Sequence, residues 1–161
     1  MQCCTEGKYE EVWNQVLDES DLLHFMEYMR YFHDSCIKEL KYISGAYVQD
    51  DLSMHPVNDR RVLRVIVQCQ FEDPSMIEME FKGLRKLRLF PLDEDYTCEI
   101  LAASMMIKDN NFYWFDSEEL KEKEQEDYEG TFICSSEFRW RVIDGCMGNG
   151  EFYGSVRPES E

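Results

Sequence analysis

The sequence predicts an α+β fold: a mainly antiparallel, strongly bent or sandwiched β-sheet of six to eight strands with two short N-terminal helices. Three observations carry that prediction. Leu63, Val65, Val67, Cys69 and Phe71 share one parity while Arg64, Gln68 and Gln70 fill most of the other, and only an extended strand puts alternate residues on one face. The alternation returns at Ile77, Met79 and Phe81, and again at Phe132, Cys134, Phe138, Trp140 and Val142. The first 32 residues keep a different rhythm, with Val12, Val16 and Leu17, then Leu22, Phe25, Met26, Met29 and Phe32, recurring at steps of three and four. The long helical crossovers that a parallel sheet needs are absent.

Taken in order, the elements begin with helices over 8–18 and 21–31, separated by Asp18-Glu19-Ser20-Asp21. Ser20 is placed to cap the second helix, and the acids suit its positive end. Both helices are expected to cover a face or edge of the sheet. From Cys36 onward β-branched and aromatic residues rise, and strands are predicted over 36–48, 61–71, 76–82, 84–90, 97–108, 111–116 and 131–143. Asp73-Pro74 breaks the chain after the second strand, because proline has no amide hydrogen to donate. Gly83 marks a reversal or bulge. Asp109-Asn110-Asn111 suits a hairpin, because Asn and Asp tolerate positive φ. Residues 49–60 read as an exposed polar loop, and Asp116 to Glu129, with eight acids and two lysines, as a solvated helix or mobile loop.

With 161 residues, 43% hydrophobic and 14% aromatic, the chain suits one core and a single domain, 1–161. Its parts are a helical stretch, 1–31, a sheet, 32–145, and a loosely held tail, 146–161, which Phe152 and Tyr153 pin in part. The formal net charge of −17 is unevenly spread, at −6 over residues 1–35, +1 over 36–92 and −12 over 93–161. Such a surface repels phosphate backbones, which argues against nucleic acid as a partner; it would attract a basic protein, while the simpler reading is that the charge keeps a small protein soluble. Seven cysteines, an odd number, and a start lacking the apolar stretch of a secretory signal predict free thiols in a reducing cytoplasm. No apolar run approaches the ~18 residues that cross a bilayer, so a soluble protein with no membrane association is expected.

Chemistry-bearing residues are few. In Phe32-His33-Asp34-Ser35-Cys36, His33 and Asp34 have the makings of a base with its orienting carboxylate, and Ser35 or Cys36 of a nucleophile. A structural role at the turn into the first strand is the simpler reading, since Asp and Ser satisfy free backbone amides there. An alternative small-ligand or metal-dependent site would unite His33, Asp34 and His55. The paired short spacings of zinc sites are missing, so no metal and no cofactor is predicted. Gly145 to Gly150 lacks the helix start and lysine of a phosphate loop. Arg60, Arg61, Arg64, Arg85, Lys86 and Arg88 are expected to pair across strands with Glu78 and Glu80 on a solvated face.

Phe32-His33-Asp34-Ser35-Cys36-Ile37, opening the first strand, and Ile77-Glu78-Met79-Glu80-Phe81-Lys82-Gly83-Leu84 with Leu87 and Leu89 together resemble a group of small β-rich bacterial proteins. Some of that group are classed as immunity proteins of polymorphic toxin systems, and the resemblance spans about residues 32–143. It implies a non-enzymatic cytoplasmic module that binds a toxin and blocks its active surface. Acidity fits, because complementary fields raise the rate of encounter with a cationic toxin. The contact groups it points to are Asp116, Glu118, Glu119, Glu122, Glu124, Glu126 and Asp127.

Overall fold

The structure, a computed structural model, describes residues 12–118, 128–143 and 147–154. Its frame is a seven-stranded antiparallel sheet in the order β2-β5-β6-β9-β8-β7, formed by β2 (Ser35–Ile43), β5 (Val62–Cys69), β6 (Met76–Arg88), β7 (Ser104–Lys108), β8 (Asn111–Phe115) and β9 (Phe132–Val142). The seventh strand, β1 (Asn14–Val16), pairs with β9. Two residues from each strand, β3 (Tyr47–Val48) and β4 (Met54–His55), make a separate small hairpin.

The predicted parity sets one sheet face directly. Leu63, Phe81 and Phe138 oppose one another across β5, β6 and β9, and Val65, Met79 and Trp140 form the next rung. One helix, α1 (Glu19–Tyr28), covers these rungs with Leu22, Phe25 and Met26. The ring of Phe25 lies 5.0 Å from Trp140, 5.2 Å from Phe138 and 5.8 Å from Phe32. Each such buried side chain contributes about 1.5–3 kcal/mol by leaving water. A bridge from Ser35 at the head of β2 to Ile100, just before β7, ties the two ends of the strand order together, so the sheet curves around α1. No helix among the described residues is long and apolar enough to cross a membrane.

Several expectations need correction. The first helix fails where the structure describes it: Asn14–Val16 is a strand, and residues 8–11 lie outside the described residues. Val12 and Leu17 are exposed, so only Val16 of the supposed stripe meets the core. The second helix starts and stops early. Asp18, not Ser20, is its N-cap and accepts the Asp21 amide at 2.9 Å, while Arg30, Tyr31 and Phe32 all take positive φ and end it. Gly83 does not reverse the chain, and 76–82 and 84–90 are one long strand, β6, ending at Arg88; of the two alternatives it is the bulge that the strand shows, as a register shift between Leu84 and Lys86. The strand predicted over 36–48 breaks at Ser44-Gly45-Ala46, and that over 97–108 is regular only from Ser104. The Asp109-Asn110 hairpin forms as predicted, with both residues at positive φ.

Gly83, with φ of +60°, also switches the apolar parity. Before it Phe81 and Phe138 face α1, and beyond it Leu84 and Ile133 do. Phe132 and Cys134 therefore point to the far face, where Phe132 stacks 5.2 Å from Phe115. Among the described residues Cys36, Cys69, Cys98 and Cys134 are free thiols, and burial pushes that of Cys69 up to about 11.

The far face of β5, β6 and β9 is the larger surprise. Glu78 and Glu80 are fully buried there. Glu80 accepts from Arg64 Nε at 2.9 Å and from Arg139 Nε at 2.7 Å, and Glu78 from Arg141 Nε at 2.9 Å. Burial pushes the Glu80 carboxyl up, but the hydrogen bonds of Arg139 and Arg64 outweigh it and hold the group below the usual carboxylate range. Arg85 and Arg88 are not part of this ladder; they donate to the Asn111 side chain and the Tyr128 carbonyl.

Both ends of the described chain close over the ladder. The Trp13 ring lies over the guanidinium groups of Arg139 and Arg141, at 4.2 and 4.5 Å. Phe152 and Tyr153 pack on Ile66, Met76 and Ile143. Lys38 Nζ donates to the Gly148 carbonyl at 2.8 Å, and the Glu39 carboxylate accepts the amides of Phe152 and Tyr153. The Tyr153 hydroxyl donates to Glu78 at 2.6 Å. Burial and that carboxylate push its phenol above the usual value of about 10. A raised folded-state value means this contact stabilises fully below pH ~10 and is lost as pH rises through the folded value. In an ultraviolet absorbance titration, Tyr153→Phe is expected to remove one phenol from the late-ionising fraction and to leave the remaining curve unchanged.

Candidate functional site

Residues 44–61, predicted as the end of a strand and a polar loop, instead build an arm. The last rung of the β2–β5 ladder is Ile43 with Val62, and beyond it the amides of Arg60 and Arg61 both donate to the Ser44 carbonyl, at 3.0 and 3.1 Å. The chain can close there because Gly45 has φ of +99°; a Cβ on it would stand 2.9 Å from the Arg60 nitrogen. Within the arm Tyr47 opposes His55 and Val48 opposes Met54. The tip is fixed by Gln49 N–H to the Ser53 carbonyl and Leu52 N–H to the Gln49 carbonyl, each 2.9 Å, with Leu52 at φ of +69°.

The arm combines oily side chains with negative charge. Val48 and Met54 share one face, and Leu52, 83% exposed, caps the tip. On the other face the rings of Tyr47 and His55 stack at 5.0 Å, and His55 Nε2 meets Asp59 at 3.4 Å. Asp50 and Asp51 immediately precede Leu52, and no lysine or arginine lies between residues 46 and 59. The Ser53 hydroxyl and amide both donate to Asp51 Oδ1, at 2.6 and 2.9 Å, and hold that carboxyl below its ordinary range. Its charge therefore persists across the whole physiological range.

Gly45→Ala tests whether the arm depends on its hinge. A non-glycine residue held left-handed costs about 1–2 kcal/mol, so amide exchange at Gln49 and Leu52 is expected to quicken about tenfold. Exchange at Val65 and Val67 should stay as it was, and equal acceleration there would show that arm and sheet unfold together.

The residues singled out from sequence are scattered. His33 Nδ1 meets Asp34 Oδ2 at 2.9 Å on the exposed turn before β2, while His55 sits on the arm beyond β2. The nine residues of β2 separate them, about 25 Å of extended chain. Asp116 is engaged internally: its carboxylate accepts the Tyr128 hydroxyl and its amide donates to Thr131. Glu118 is exposed at the rim of a cleft beside α1. Glu119, Glu122, Glu124, Glu126 and Asp127 lie outside the described residues.

Sequence reasoning passed over the arm because Val48, Leu52, Met54 and Val57 are isolated among polar neighbours and show no period. The signal that was available is their number in a stretch with no core to enter. Among the described residues no group of three or more His, Cys, Asp or Glu is placed to hold a metal ion. Compared with known protein families, with curated proteins and with solved structures, the chain matches none.

Proposed function

We propose that this chain is a non-enzymatic protein-binding module that seats on a basic protein through its β3–β4 arm, as an immunity protein of a bacterial toxin system covers a toxin's active surface. The observation that carries the reading is Leu52, Met54 and Val48 held in water beside Asp50 and Asp51. Apolar side chains clustered in solvent on one hairpin mark an interaction surface. A second copy is a poor occupant, since each chain carries −17 and like charges repel on approach. A basic partner gains from the same field, chiefly in its rate of encounter. An apolar depression on that partner would take Leu52.

The test places a photo-crosslinking amino acid at position 52 in cells of the natural host. The expected product is a protein of high isoelectric point, lost when Asp50→Lys and Asp51→Lys are combined. Expression of that protein alone should arrest growth, and co-expression of this chain should restore it. Crosslinks to an acidic protein or to the chain itself, or a captured protein whose toxicity is unaffected, would overturn the proposal.

A further inference from the structure

At the opposite end of β2 from the arm lies a cleft of about 760 Å³ between α1 and the start of β7. That size falls within the ~300–1,000 Å³ of sites that enclose small molecules. Its walls are apolar, from Leu22, Leu23 and Met26 of α1 and from Ala103 and Met105 across from them. Its polar groups are unevenly chosen. Glu19 and Glu118 line it, no lysine or arginine does among the described residues, and Tyr31 adds an aromatic ring. Ser104, also in the lining, has a buried hydroxyl oxygen with no hydrogen-bond partner.

The turn that brings Tyr31 into the lining has an unusual backbone. Arg30, Tyr31 and Phe32 are consecutive residues at positive φ. They stay there because the Ala103 amide donates to the Tyr31 carbonyl at 2.8 Å and the Ser35 hydroxyl to the Phe32 carbonyl at 2.5 Å. Strain of this kind persists where surrounding bonds over-determine it, and it recurs at ligand sites. Here it sets Tyr31 at the mouth, 45% exposed, opposite the helix. The positive end of α1 faces the same region, but Asp18, Glu19 and Asp21 offset it.

We infer that this cleft binds an apolar organic cation, an ammonium group carried on a hydrocarbon or aromatic body. The body displaces water from the Leu22, Met26 and Met105 walls. The cation is drawn by the Glu19 and Glu118 carboxylates in the lining, and the Tyr31 ring adds to the wall that receives the body. This site stands apart from the arm and does not depend on the protein-binding reading.

The experiment titrates the full chain, labelled at its methionine methyl groups, with octyltrimethylammonium and in parallel with octanoate. Saturable shifts are expected at Met26 and Met105 but not at the exposed Met54 and Met147, and octanoate should produce none at the same concentration. Glu19→Gln with Glu118→Gln, both at exposed positions, should weaken binding at least fivefold while lowering the thermal midpoint by no more than about 3 °C, the scale of one lost first-turn charge. Equal binding of octanoate, shifts spread over Met54 and Met147, or an unchanged affinity in the double variant would overturn the inference. So would tighter binding of acetyl-Leu-Lys-Leu-amide, which would assign the cleft to a protein segment.

Discussion

Arg139→Met is expected to lower stability by about 3 kcal/mol, the scale of breaking a buried ion pair while its partner stays in place. Glu80 is wholly enclosed and receives Arg139 Nε at 2.7 Å, so the variant leaves a buried carboxylate with Arg64 as its close partner and Lys82 Nζ at 3.8 Å. Glu80→Met is expected to cost less, because Arg64 and Arg139 are partly exposed and reach water. The double variant should then be more stable than the sum of the two predicts, by about 1–3 kcal/mol of coupling. Acid gives an independent check. The Glu80 carboxyl is held low in the folded state, so its contribution is present above the unfolded value of about 4.3 and is lost as pH falls through the folded value. The gap between wild type and Arg139→Met in urea unfolding should therefore narrow from pH 7 towards pH 3. A gap constant with pH would mean that Arg139 stabilises by packing under Trp13 and not by its charge.

Phe25→Ala is expected to be at least as damaging, at about 4 kcal/mol, within the range for emptying a large aromatic site in a core. Phe25 is completely buried and is the ring through which α1 meets Phe138 and Trp140 of β9 as well as Phe32. Little else can refill the space, because Phe138 is itself held against Phe81 at 4.9 Å and Phe112 at 6.1 Å. For a chain of this size the thermal midpoint should fall by about 10 °C. A loss below about 1.5 kcal/mol in chemical denaturation would mean that the helix is not seated on the sheet as described.

The rungs that Phe25 covers were legible in the sequence because Leu63, Val65, Val67 and Cys69 of β5 alternate with Arg64 and Gln68, although Ile66 on that second face is itself buried under Phe152 and Tyr153. Elsewhere that code fails for identifiable reasons. In β9 the parity read from Phe132 to Val142 breaks near Gly83 of the neighbouring strand, and both faces at that end are apolar, so no alternation survives to reveal the switch. Glu78 and Glu80 look like solvated positions until Trp13 and Tyr153, distant in sequence, are seen to close over them. The helix read over 8–18 rested on Val12, Val16 and Leu17, a spacing that a short strand with exposed ends reproduces by chance. The arm was missed for the converse reason: hydrophobic periodicity records burial, and these residues are not buried in this chain.

The way the arm is attached separates it from the folding of the large sheet. The β2–β5 ladder ends at Ile43 and Val62, and the arm is closed by two amides converging on the one carbonyl of Ser44. Residues 46–59 thus form a cassette whose excision, with a two-residue turn in its place, leaves every rung of the large sheet untouched. Exchange of that cassette alone is a change that the sheet should tolerate, with the cost confined to fourteen side chains that the core never uses.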